Sequence, residues 1–206
     1  MTQIRCLLWD FGDTLCDETF IWSSGPEWMA VYQSFDDGGL GAAWSLGEID
    51  TREFANQLSK RMQWSADAIV AHMSERCHHI EFFRETYAFF QARHLPQAIV
   101  TVNPDLFSQL IVPICDFEAR CDAIVTSWEE GTIDKAVLCR LAIDRMGVSC
   151  ENSAALLIDN QGANLEDWAE CGGAGYLHCS DDRFARDVAE GIDALATSGS
   201  EEGGPA

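Results

Sequence analysis

The chain has 206 residues, of which 34 are acidic and 13 basic, for a formal net charge of −21. At about 150 residues per domain, that length holds one domain with an insert. With 47% hydrophobic and 23% charged residues it can bury a sizeable core, which excludes extensive disorder. The acid excess argues against nucleic acid and anionic membrane partners, whose phosphates it would repel.

No stretch reaches the roughly 18 apolar residues of a membrane span. The N-terminal MTQIRCLLWDFGD has a short apolar run broken by acids and does not read as a signal peptide, so a cytoplasmic protein is expected. The nine cysteines are odd in number and none sit at CxxC spacing. Cys6 and Cys139 lie in apolar runs, where a thiol behaves as a small hydrophobe, so neither a cysteine zinc site nor a redox dithiol is expected.

In chain order, residues 4–10 (IRCLLWD) form a continuous apolar run ending in Asp, the pattern of a strand buried on both faces of a parallel sheet. The stretch 17–91 has no such run. Phe54, Leu58 and Met62 recur at i, i+4 and i+8, and helical spacing also predicts helices over 25–35, 66–79 and 82–90, with a loop at 36–41. Apolar runs return at 97–102, 121–127 and 153–159, with a weaker one at 174–179. Between them, Asn103-Pro104 reads as an N-cap and first helical position. Thr132 reads as the cap of a helix running to Met146 and stopped by Gly147, and Gly162 opens another helix ending at Gly172-Gly173. Strands alternating with helices predict an α/β class, a Rossmann-like parallel sheet core at 1–16 and 92–196, interrupted by an all-helical insert at 17–91. Residues 197–206 have the composition of a disordered tail.

In an open parallel sheet, ligands collect at the carboxyl ends of the strands near the switch point. Asp10, Thr101 and Asp159 each end a predicted strand, and Lys135, one of only two lysines, opens the helix before the fourth. Two carboxylates can hold Mg²⁺, a hard cation that prefers oxygen. The metal and Lys135 would neutralise a phosphate and the Thr101 hydroxyl would hydrogen-bond it. Asp10 could then attack phosphorus, forming an aspartyl-phosphate.

These residues resemble the motifs of the haloacid dehalogenase-like hydrolases. D-F-G-D-T-L at 10–15 is similar to motif I, T-V-N-P at 101–104 to motif II, Lys135 to motif III, and L-L-I-D-N at 156–160 with Asn164 to motif IV. They follow the family's order over about residues 4–180, and the insert stands where the family's type-1 helical cap belongs. The resemblance implies a Mg²⁺-dependent phosphatase of a small phosphorylated metabolite. It makes Asp10 the nucleophile and a metal ligand, the Gly12 carbonyl and Asp159 further metal ligands, Thr101 and Lys135 the phosphate holders, and Asn103 a substrate neighbour.

Two departures stand out. The family's phosphatases usually carry an acid/base Asp two residues after the nucleophile; here that residue is Gly12, and Asp13, one place later, is the candidate replacement. Asn160 stands where many members have a second metal-binding Asp; its carbonyl oxygen can still accept. Two alternatives therefore stay open: a haloacid dehalogenase, which attacks carbon with the same Asp and no metal, and a catalytically weak binding or regulatory member of the fold.

Overall fold

The computed structural model describes residues 3–20, 39–61 and 63–191. Five strands form one parallel sheet: β1 (Cys6–Trp9), β2 (Gln97–Thr101), β3 (Ala123–Thr126), β4 (Ala155–Asp159) and β5 (Ala174–Leu177), in the order β3-β2-β1-β4-β5. The chain winds outward from β1 through β2 to β3, then returns to the other side of β1 with β4. The switch point thus lies between β1 and β4, as the Rossmann-like reading requires.

Side chains alternate between the two faces of the sheet, and both faces are buried. Leu7, Trp9, Ile99, Leu156 and Ile158 point into one core cluster, and Cys6, Leu8, Val100, Val125 and Leu157 into the other. Helices α4 (Arg84–Ala92) and α7 (Asp181–Ala189) cover the first face, where the Phe90 and Phe184 rings lie 5.7 and 6.0 Å from that of Trp9. Helices α5 (Lys135–Met146) and α6 (Gly162–Glu170) cover the second, with Leu138, Cys139 and Trp168 fully buried. All nine cysteines are free thiols.

Between β1 and α4 lie helices α1 (Leu40–Ser45), α2 (Thr51–Ser59) and α3 (Ala66–Arg76). Asp50 caps α2 by accepting from the Glu53 amide, and Ser65 caps α3 by accepting from that of Ala68, which is why the apolar spacing there becomes helix. The buried Asp105, just after β2, fastens this helical segment to the sheet domain. It accepts from Trp44 Nε1 (2.8 Å), the Thr51 amide (3.0 Å) and Thr51 Oγ1 (2.6 Å). No helix among the described residues is long and apolar enough to cross a membrane.

Some local expectations change. The cap of α5 is Asp134, which accepts from the Val137 amide; Thr132 instead accepts from the Asp134 amide, so the turn starts two residues later than the threonine alone indicated. Asn103 does not cap the following helix but donates to Thr101 Oγ1. Residues 40–41, read as loop, start α1, because Gly39 takes a left-handed conformation (φ 71°) that turns the chain into the helix. The helix expected at 25–35, Met62 and the tail at 197–206 lie outside the described residues.

Candidate active site

Register brings the predicted strand ends level. Trp9 pairs with Ile99 on one side and Ile158 on the other, and the Asp10 amide extends the ladder to the Ile158 carbonyl at 3.0 Å. Asp10, Thr101 and Asp159 therefore emerge together at the carboxyl edge of the sheet.

Lys135 enters this group from the first turn of α5. Its ammonium donates to Asp10 Oδ1 (2.7 Å) and the Val100 carbonyl (2.9 Å) and pairs with Asp159 Oδ2 (3.0 Å). These three partners match its three N–H donors. Lys135 is 1% exposed and Asp159 0%, so these charges are held without bulk water. Burial opposes the lysine's charge, but Asp10 and Asp159 outweigh it and hold Lys135 above its ordinary range. Burial pushes the Asp10 carboxyl up to about 6, against the pull of Lys135 and with the repulsion of Asp159.

Asp159 is fixed from every side. Oδ1 accepts from the Gln161 amide at 2.8 Å, and Asn164 Nδ2 reaches both oxygens, at 3.1 and 3.0 Å. Asn103 Nδ2 donates to Thr101 Oγ1 at 2.7 Å, which leaves the threonine proton to point at a ligand. Asn160 Oδ1 is buried and has no hydrogen-bond partner among the described residues.

A cleft of about 240 Å³ opens over these groups, lined by Asp10, Gly12, Thr101, Asn103, Lys135 and Asn164 among others. Glu18, which the sequence reading did not single out, also lines it. Glu18 as a residue is exposed, yet its carboxyl end packs over Gly12 beside Asp10. This local loss of water, then the Asp10 and Asp13 charges, push it up to about 7. Asp13 takes a left-handed conformation (φ 53°) and its side chain accepts from the Glu18 amide at 3.0 Å; it is not among the residues lining the cleft. The segment carrying these residues is tied to the return of the helical insert, with the Phe83 amide donating to the Leu15 carbonyl and Asp17 to that of Glu81.

No family model and no curated protein matches this sequence. Solved structures do match in fold. A predicted HAD-like family hydrolase from Porphyromonas gingivalis superposes with a TM-score of 0.72 at 14% identity, covering 92% of this chain and 98% of that one. A HAD family enzyme from Bacteroides thetaiotaomicron, crystallised with magnesium and inorganic phosphate, gives 0.65 at 15% identity over 84% and 93%. The L-2-haloacid dehalogenase from Xanthobacter autotrophicus, with chloropropionic acid covalently bound, gives 0.64 at 14% over 95% and 88%. At these identities the likeness is one of fold: the chain has the α/β architecture of the haloacid dehalogenase-like hydrolases.

Proposed function

We propose that this chain is a Mg²⁺-dependent phosphohydrolase acting on a small phosphorylated metabolite through an aspartyl-phosphate on Asp10. The observation that carries this reading is the charge at the cleft. Among the described residues, two buried carboxylates, Asp10 and Asp159, share the ammonium of Lys135 at the floor of the cleft, and a third acidic residue, Glu18, lines it. That surplus favours a divalent cation and, without one, would repel a phosphate dianion.

The donor set fits Mg²⁺ in kind, being carboxylate and carbonyl oxygen, and the partnerless Asn160 Oδ1 is an acceptor suited to the ion or to a water on it. Asp10, the Gly12 carbonyl and Asp159, with Asn160 behind them, would hold it. When bound, it would supply positive charge to the phosphate oxygens.

The chain's own residues do the rest. Lys135 holds Asp10 Oδ1 at 2.7 Å, leaving Oδ2 to attack phosphorus. The Thr101 hydroxyl, oriented by Asn103, binds a phosphate oxygen, and Lys135, whose donors are taken by Asp10, Asp159 and the Val100 carbonyl, lends positive charge to it. The helical segment serves as a cap that excludes water during the first transfer.

One observation favours a second reading. Both oxygens of Asp159 already have protein donors, an arrangement that works without metal, as a haloacid dehalogenase would require. Against it, Glu18 lines the same cleft, where it would disfavour a haloacid's carboxylate, and no arginine lines the cleft among the described residues.

The test is hydrolysis of p-nitrophenyl phosphate with Mg²⁺, with chelator, and by Asp10→Asn. Turnover lost in both controls is expected. Chelator-insensitive chloride release from 2-chloropropionate would favour the second reading.

A further inference from the structure

The family resemblance leaves a gap at position 12, where an acid/base side chain is expected and Gly is found. A Cβ built on Gly12 would lie 2.8 Å from Glu18 Cδ and 3.0 Å from each Glu18 carboxylate oxygen. The space beside an aspartate at position 12 is thus filled by a carboxyl group from six residues later. Gly12 leaves that space open, and its φ lies outside the positive range, so backbone conformation does not demand glycine there. Glu18 and Asp10 line the same cleft. Among the described residues no side-chain hydrogen bond or ion pair engages the Glu18 carboxylate, while Asp13 pins its backbone by accepting from the Glu18 amide. A carboxylate at a reaction cleft that no described residue engages is available for chemistry.

We infer that Glu18 is the acid/base catalyst of this site, supplied from six residues further along the chain to the place vacated at Gly12. The inference rests on the phosphohydrolase reading above. In the first step an Asp10 oxygen bonds to phosphorus, the ester P–O bond breaks, and the Glu18 proton passes to the departing oxygen. In the second, water adds to phosphorus, its proton returns to Glu18, and the Asp10–phosphorus bond breaks to release phosphate and restore the carboxylate. Asp13 is a positioning residue for the turn.

The experiment compares p-nitrophenyl phosphate with a simple alkyl phosphate under saturating Mg²⁺, in wild type, Asp10→Asn, Glu18→Gln and Glu18→Ala combined with Gly12→Asp. A nitrophenolate leaves without help, whereas an alkoxide needs a proton. Glu18→Gln, which keeps shape, should still release one nitrophenolate per enzyme in a fast burst. Its steady-state rate and its alkyl phosphate turnover should fall by about 10² or more. Glu18→Ala with Gly12→Asp, in which the shortened side chain makes room for the new Cβ, should restore much of both by supplying the acid from position 12.

An unchanged alkyl phosphate rate in Glu18→Gln would overturn the inference. So would an equal loss of burst and turnover that Gly12→Asp fails to rescue, or a defect abolished by raising Mg²⁺, which would make Glu18 a metal ligand. If the wild type shows no Asp10-dependent turnover of either ester, the phosphohydrolase reading itself fails and the inference falls with it.

Discussion

Lys135 shows how much one side chain can decide. Its ammonium is the positive charge set between the buried carboxyls of Asp10 and Asp159. Substituting methionine, of similar length and no charge, would leave two carboxylates facing each other without water. Removing one partner from a buried pair typically costs about 3–5 kcal/mol. Lys135→Met should therefore lower the urea midpoint substantially and abolish turnover, because Asp10 would retain its proton at neutral pH. An unchanged midpoint would show that the ammonium does not neutralise the pair. The convergence of Asp10, Thr101, Asp159 and Lys135 is legible in the sequence, because apolar runs mark strand ends and the switch point gathers those ends. Glu18 is not. It sits on an exposed 3-10 turn with no periodicity, and only the three-dimensional vacancy at Gly12 gives it a place.

At the level of elements, the helical segment is held to the sheet domain by Asp105. This carboxylate is 2% exposed and accepts three hydrogen bonds from α1 and α2. Its truncation leaves the Trp44 and Thr51 donors unsatisfied, each at about 1–3 kcal/mol. Asp105→Ala should cost about 3 kcal/mol or more in denaturant unfolding, and proteolysis should then cut within 40–60 before it cuts the sheet. Equal stability to wild type would contradict this role. The sequence reading predicted α2 and α3 from their spacing but could not predict the anchor, since Asp105 is a lone acid whose partners lie 54 and 61 residues away. The cap of α5 was displaced for a local reason: Thr132 and Asp134 both fit the signal, and the aspartate stands next to the first helical residue.

The whole molecule carries 21 more acidic than basic residues. Self-repulsion of such a charge destabilises the compact state, and salt shortens its reach from about 10 Å at 0.1 M to about 3 Å at 1 M. With chelator present, the melting temperature should rise between those NaCl concentrations; a fall would mean that attractive ion pairs outweigh the net repulsion. A chain of that net charge is proposed to bind an anion, so the proposed function calls for local neutralisation, to which Lys135 contributes beside Asp10 and Asp159. The covalent step through Asp10 is therefore the claim on which the account turns. Its most direct test is to mix the protein with Mg²⁺ and p-nitrophenyl phosphate, quench in acid within the burst, and map the product by peptide mass spectrometry. A phosphoryl group on the peptide containing Asp10, absent with chelator and in Asp10→Asn, is the predicted result. Turnover that proceeds with no such adduct, or that survives Asp10→Asn, would contradict it.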